Sequence, residues 1–155
     1  VVVAALLIFP LASPALADGA VVQSISGSGG FFSGERLRTF TFTARKDADG
    51  NVTGHWTRVV KTGSGPNHGE ITCFEDYGDY VLVGGFVNFG IFSEPPFNWT
   101  NFWFVDNGQG GSADPDIISL HQLGLPAFVA ELYCANEFGP VIPSFEVTQG
   151  NIQVH

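Results

Sequence analysis

Acidic residues in one long polar loop have the types and spacing that could bind a metal ion. The tripeptide Asp106–Gly108 is followed after a short interval by Asp114 and Asp116, with strands predicted on both sides. Calcium takes oxygen ligands from loops of this kind in extracellular proteins. Asp, Asn and Gly are also ordinary loop residues, so the sequence predicts no cofactor, and calcium bound by Asp106, Asp114 and Asp116 is the alternative.

A second group of carboxylates could serve a hydrolase. Glu70, Glu75 and Asp76 lie close together in the sequence, and glycoside hydrolysis needs two carboxyl groups across a cleft. The chain has no G-x-S-x-G or H-E-x-x-H motif, and its four histidines show no ligand spacing. Acidic residues on a solvent face are far commoner than catalytic pairs. We therefore predict no catalytic residues and keep a small extracellular hydrolase as an alternative.

Two tryptophans could form a ligand surface. Trp99 and Trp103 lie in one predicted strand, and their even spacing puts both side chains on the same face. An outward face would give a sugar an aromatic platform, whereas an inward face would make both residues core. The 15 phenylalanines of the chain favour the core, and the ligand surface is the alternative.

Period-two patterns predict the strands that position these residues. Residues 37–44 alternate Phe and Ala with Thr, and residues 52–61 return after a turn, which predicts a hairpin. Residues 80–92 are apolar on both faces, as in a strand that is central or covered on both sides. We further expect a loop over 62–69 and a strand over 128–134. About seven to nine short strands indicate an all-β antiparallel sandwich or barrel in a single domain.

The N-terminal residues and the cysteines indicate export. Residues 1–17 combine an apolar run with an A-x-A cleavage site, which predicts a signal peptide truncated at its start and a mature domain over 18–155. A retained membrane anchor is the alternative. Two cysteines in an exported chain predict a disulfide between Cys73 and Cys134. The expected location is secreted, extracellular or periplasmic, with no membrane span in the mature chain.

The charge of the chain limits the classes of partner that it can bind. The net charge is −9, and all six basic residues lie between Arg36 and Lys61. Nucleic acids need a basic face, so we exclude them as partners, and we also exclude electrostatic adhesion to anionic lipid. An unknown protein or a glycan is the expected partner.

Four strings of the sequence form a pattern: Arg38–Arg45, Asp49–Gly54, His68–Cys73 and Asp106–Gly108. In this pattern the chain resembles small exported bacterial β-rich proteins of unknown function. The resemblance implies export and one β domain, and it assigns no functional residues.

These observations predict a secreted, non-enzymatic binding or structural module at the cell surface or in the extracellular matrix. Its rigid β scaffold, disulfide and low charge density suit that role, although a fold alone does not decide a function. Besides the hydrolase, a self-assembling surface or filament subunit is an alternative, suggested by the two-sided apolar segment 80–92.

Overall fold

The computed structural model describes residues 20–61, 63, 65–109, 113–135, 139 and 142–155, so the predicted signal peptide lies outside the described residues. They form ten strands and one helix. The elements are β1 (Val21–Ser33), β2 (Arg36–Asp47), β3 (Val52–Val60), β4 (Gly65–Asp76), β5 (Val81–Phe89), β6 (Trp99–Val105), β7 (Ile117–Ser119), β8 (Gln122–Leu125), α1 (Ala127–Cys134), β9 (Ser144–Glu146) and β10 (Gln149–Val154).

All ten strands belong to one antiparallel sheet that curls into a half-barrel. The strand order is β10-β1-β2-β3-β4-β5-β6-β7-β9, and β8 pairs with β6 beside β7. The all-β antiparallel prediction is confirmed, with one curled sheet in place of a two-sheet sandwich. The predicted range of seven to nine strands was slightly low, because the structure adds β1 and divides residues 117–125 between two strands.

Alternate residues along the strands place apolar side chains on the concave face of the sheet, where they form the core. Phe40, Phe42 and Ala44 of β2 are buried there, as their spacing predicts, and Trp56 of β3 lies directly opposite Phe42. Aromatic rings pack closely in this interior, with the centroids of Phe42 and Phe104 5.0 Å apart. The largest fully buried side chains of the interior are Trp56, Phe31, Phe42, Phe74, Phe102, Phe104, Ile25, Ile71, Ile118 and Ile152.

Glycine-rich strands are the main departure from the predicted elements. No strand was predicted over β1, where Gly27 faces the Phe42 ring so closely that a Cβ would lie 2.6 Å from it. Residues 65–69, predicted as loop, form the first half of β4, and a Cβ at Gly69 would overlap the carbonyl of Phe86. Strand propensity scores glycine poorly, whereas here the absent side chain makes room for a neighbouring ring or backbone.

The segment 128–134 is the one predicted strand that is wrong, because it forms the helix α1. Its buried residues Tyr133 and Cys134 face the sheet, and the helix contacts β4, β5 and β6. The apolar residues can pack on a sheet face from either conformation, so their composition did not distinguish strand from helix.

The helix explains why β5 is apolar on both faces. β5 is paired with β4 and β6, and its Val81, Val83 and Val87 point into the interior. Its Leu82 points to the convex face, where it packs with Tyr133 in a second, smaller cluster. The prediction of a central strand covered on both sides is confirmed.

Candidate functional site

The acidic residues predicted to bind calcium lie where the two ends of the sheet meet. Asp116 is only 6% exposed, and its two oxygens accept backbone N–H groups of Asn107 at 3.0 Å and Ile152 at 2.7 Å. Asp106 accepts the N–H of Val154 at 3.0 Å. Ile152 and Val154 belong to β10, whereas Asp106 follows β6. The two carboxylates therefore join the first strand of the sheet order to its far side, and we name this junction the carboxylate seam.

Those hydrogen bonds use oxygens that calcium would need. Among the described residues, no group of three His, Cys, Asp or Glu side chains is placed to hold a metal ion. Asp114 is exposed and lines a recess beside Asp116. The described contacts give Asp106 and Asp116 a structural role, and calcium binding stays a prediction.

The two tryptophans take part in packing on the convex face. The Trp103 indole donates to the carbonyl of Ile142 at 3.1 Å and packs in the cluster under α1. Trp99 packs edge-on against Phe86 of β5, with ring centroids 5.8 Å apart. Both side chains are half-buried, and a ligand surface at these two residues stays the alternative to packing.

The carboxylates considered for hydrolysis have separate partners. Glu75 pairs with Lys46 at 2.9 Å, and the carboxylates of Glu70 and Asp76 accept side-chain amides at 3.1 and 3.2 Å. All three residues are exposed. Each carboxylate is thus used in a surface contact of its own.

The predicted disulfide is confirmed: Cys73 of β4 is bonded to Cys134 at the end of α1. Beside it, the Tyr77 hydroxyl donates to the Cys134 carbonyl at 3.1 Å. The helix that covers the convex face is therefore tied to the sheet both covalently and by a hydrogen bond.

The sequence analysis missed a set of polar side chains inside the sheet. We define the interior polar cluster as Arg38, Arg58, Asn67 and His121. Arg58 of β3 is the direct cross-strand neighbour of Asn67 on β4, and its guanidinium donates to the His121 carbonyl at 3.2 Å. Arg58, Asn67 and His121 are 5%, 0% and 6% exposed, whereas Arg38 is half-buried. The fold therefore encloses Arg58 fully and Arg38 in part within an interior built mainly from aromatic and aliphatic side chains.

Several polar atoms of this cluster have no hydrogen-bond partner in the part of the chain that the structure describes. They are Nε of Arg38, Nε of Arg58, Nδ2 of Asn67 and both ring nitrogens of His121. Buried polar groups nearly always have partners, and one without a partner costs about 1–3 kcal/mol. The interior polar cluster thus presents hydrogen-bonding atoms that the described fold does not use.

Positive charge is concentrated in the cluster. Burial, followed by the charge of Arg38, lowers the pKa of Arg58 to about 10, which still leaves the guanidinium charged at neutral pH. Burial also lowers the pKa of Arg38, and the neighbouring Arg36 adds to that effect. For His121, burial and then the charges of Arg58 and Arg38 hold the pKa well below its usual value, so the imidazole is neutral.

Aromatic rings fix the position of His121. Its ring stacks on Phe102 with centroids 4.1 Å apart and planes within 2°. Trp56 packs edge-on against the same ring at 5.1 Å. The imidazole is therefore held by packing, and neither of its buried ring nitrogens has a hydrogen-bond partner among the described residues.

The sequence contained a signal for this cluster. Arg38 precedes Phe40 and Phe42 on the even positions of β2, and Arg58 follows Trp56 on the even positions of β3. A charged residue on the apolar side of an alternating strand indicates an unusual interior group. Nothing local pointed to Asn67, because its strand was predicted as a loop, or to His121, which lies between two short strands.

No helix in the described residues is long and apolar enough to cross a membrane. In comparisons with known proteins, no protein-family model matches this chain, no curated protein matches its sequence, and no solved structure matches its fold. The arguments for function therefore come from the site itself.

Proposed function

We propose that this protein is a secreted, non-enzymatic binding module that holds a small ligand at the interior polar cluster. One observation carries the proposal: Arg58, Asn67 and His121 are almost fully buried, yet each has a polar atom without a partner among the described residues. A bound ligand that completes these hydrogen bonds would replace an unfavourable set of buried groups with a satisfied one.

The rest of the molecule suits this role. The disulfide between Cys73 and Cys134 is typical of oxidising compartments outside the cytoplasm. A sheet of ten strands is a rigid support, and rigid elements hold binding groups more accurately than loops do. The residues of the cluster lie on strands or are clamped by aromatic rings, which favours a preformed site.

Residues 80–92 suggested a self-assembling subunit because they are apolar on both faces. In the structure the strand of this segment, β5, pairs with other strands of the same chain. β5 is hydrogen-bonded on both edges, to β4 and to β6, so it has no free edge for a second copy. This arrangement favours the binding module over the assembly subunit.

A thermal melt of the full oxidised chain against a panel of small molecules tests the proposal. The panel contains neutral sugars, neutral amphiphiles, organic anions, organic cations and calcium. A ligand bound by the folded state alone stabilises that state by RT ln(1 + [L]/Kd), so Tm rises with the logarithm of the ligand concentration above Kd. We expect at least one organic class to raise Tm in the wild type and to lose that effect in Arg58→Met.

Arg45→Met is the matched control, because Arg45 is exposed on the neighbouring strand and its removal changes the net charge equally. It should keep the ligand-dependent rise. A panel that leaves Tm unchanged throughout would overturn the proposal, and so would a rise that Arg58→Met retains in full.

A further inference from the structure

The guanidinium of Arg58 is a buried positive charge without an anionic partner among the described residues. Arg58 is 5% exposed, and its guanidinium donates a hydrogen bond to the neutral backbone carbonyl of His121. Across the described residues the one ion pair is Lys46–Glu75, on the surface. A buried guanidinium is strongly disfavoured unless an anion pairs with it. The groups around Arg58 therefore select for a ligand with negative charge.

Basic residues gather at one end of the sheet, which we name the arginine end: the end of β1, the beginning of β2, the end of β3 and the beginning of β4. Arg36, Arg38, Arg58 and Lys61 all lie there, four of the six basic residues of a chain whose net charge is −9. A local excess of positive charge on an acidic protein attracts anions to that end.

Exposed apolar side chains lie at the same end. The backbone N–H of Ile91 donates to Oδ1 of Asn67 at 2.9 Å, which places the segment after β5 directly beside the interior polar cluster. Ile91, Phe92 and Phe97 of this segment are 42%, 55% and 55% exposed. Large apolar side chains grouped at the surface beside buried polar atoms are typical of a ligand site rather than of ordinary surface.

We infer that the interior polar cluster binds the oxyanion of an amphipathic organic acid, whose apolar part lies against the exposed residues Ile91, Phe92 and Phe97. Arg58 supplies the main charge, and guanidinium groups bind carboxylates through paired hydrogen bonds. Arg38 adds a second cation, and the amide of Asn67 is a further donor. The inference names the ligand class of the proposed binding module and rests on that proposal.

Four probes, three with eight carbons and one with two, test the ligand class on the full oxidised chain. Octanoate has both charge and chain, acetate has the charge, octanol has the chain, and octylammonium has the opposite charge. Binding is measured by calorimetric titration and by intrinsic tryptophan fluorescence, to which Trp56 contributes with its ring centroid 5.1 Å from that of His121. We expect octanoate to bind at least tenfold more tightly than each of the other three.

Substitutions then locate the two halves of the ligand. Arg58→Met should weaken octanoate at least tenfold, Arg38→Met several-fold, and the exposed control Arg45→Met not at all. Phe92→Asn should weaken octanoate binding more than acetate binding, because it removes an apolar contact for the alkyl chain. Asn is chosen because it tolerates the φ of 62° at this position. Phe128→Asn, on the exposed side of α1, is its control.

Two results would overturn the inference while leaving the proposed function in place: octanol binding as tightly as octanoate, or a neutral sugar requiring Arg58. If no probe and no member of the wider panel binds, both fall together. The four-probe comparison uses the wild type alone, so it decides the ligand class even if Arg58→Met does not fold.

Discussion

At the scale of single residues, the molecule departs most from an ordinary β core at Arg58 and His121. Both are buried, and both have polar nitrogens without partners in the described chain. Arg58 stays charged despite its burial, whereas His121 is kept neutral by burial and by the two arginines. This difference makes the histidine responsible for a measurable dependence of stability on pH.

The first prediction concerns acid destabilisation through His121. Its folded pKa lies well below 6.5, so below that pH the unfolded chain binds a proton that the folded chain does not. Stability present above pH 6.5 is therefore lost as pH falls. Between pH 7 and 5 the free energy of unfolding should drop by up to about 2 kcal/mol more in the wild type than in His121→Phe, the limit set by the ordinary pKa of histidine in the unfolded chain.

Urea unfolding at each pH measures this difference. The exposed His55 provides the control, and His55→Gln should follow the wild type. Equal slopes in wild type and His121→Phe would contradict the assignment of a buried neutral imidazole.

At the scale of elements, the carboxylate seam decides how the curled sheet is completed. Asp116 contacts both the loop after β6 and the strand β10, and Asp106 contacts β10 two residues further along. At this junction, hydrogen bonds from backbone N–H groups to the two carboxylates take the place of the backbone–backbone hydrogen bonds that join the paired strands.

We predict that Asp116→Ala lowers the free energy of unfolding by about 3 kcal/mol. The substitution removes two charge-assisted hydrogen bonds and leaves the buried N–H of Ile152 without its acceptor. Asp114→Ala, at an exposed position of the same loop, should change stability by less than about 0.5 kcal/mol. Urea unfolding compares the two; similar losses would contradict the seam.

The same variants test calcium binding. Equal wild-type Tm values in calcium and in chelator would contradict calcium binding and leave Asp106 and Asp116 with their hydrogen bonds to β10 alone. A calcium-dependent rise in wild-type Tm that both Asp114→Ala and Asp116→Ala abolish would establish the metal site predicted from the sequence.

Adjacent glycines of β1 give a matched pair for a packing prediction. A Cβ at Gly29 would overlap the backbone oxygen of Gln149, whereas a Cβ at Gly30 would lie 3.4 Å from its nearest neighbour, an ordinary contact. Gly29→Ala should therefore lose about 1–3 kcal/mol, and Gly30→Ala should stay within about 0.5 kcal/mol of wild type. Comparable urea midpoints for the two variants would contradict this account of β1.

These elements also show what sequence patterns can and cannot reveal. Alternation of Phe and Thr identified β2, and two-sided apolarity identified β5 as internal, because both signals depend on the strand's own residues. β1 and the first half of β4 were missed because their glycines are explained only by partners distant in sequence, such as the Phe42 ring and the Phe86 carbonyl. The interior polar cluster was missed for the same reason: it assembles from four separate segments.

At the scale of the whole molecule, one covalent bond joins the convex helix to the sheet. The disulfide spans 61 residues of sequence, from β4 to the end of α1. Its pairing was predictable from the cysteine count and from the expected export, whereas the helix that it holds was not, since the residues of α1 have the composition of a strand.

We predict that the double variant Cys73→Ser, Cys134→Ser loses about 4 kcal/mol of unfolding free energy, because the open unfolded chain gains the entropy that the closed loop of 61 residues denies it. Urea unfolding of the variant against the oxidised wild type measures the loss. A reduced wild type should match the variant, and stability equal to that of the oxidised protein would contradict the prediction.

The carboxylate seam has a consequence for how copies of the protein meet. A terminal strand with free N–H groups is a template on which another chain can add its own strand, and proteins commonly protect such edges. Here the outward N–H groups of Ile152 and Val154 are already occupied by Asp116 and Asp106. The two acids thus compete with strands from neighbouring molecules for these N–H groups, which disfavours the growth of fibrous aggregates through this edge in a concentrated solution of the protein.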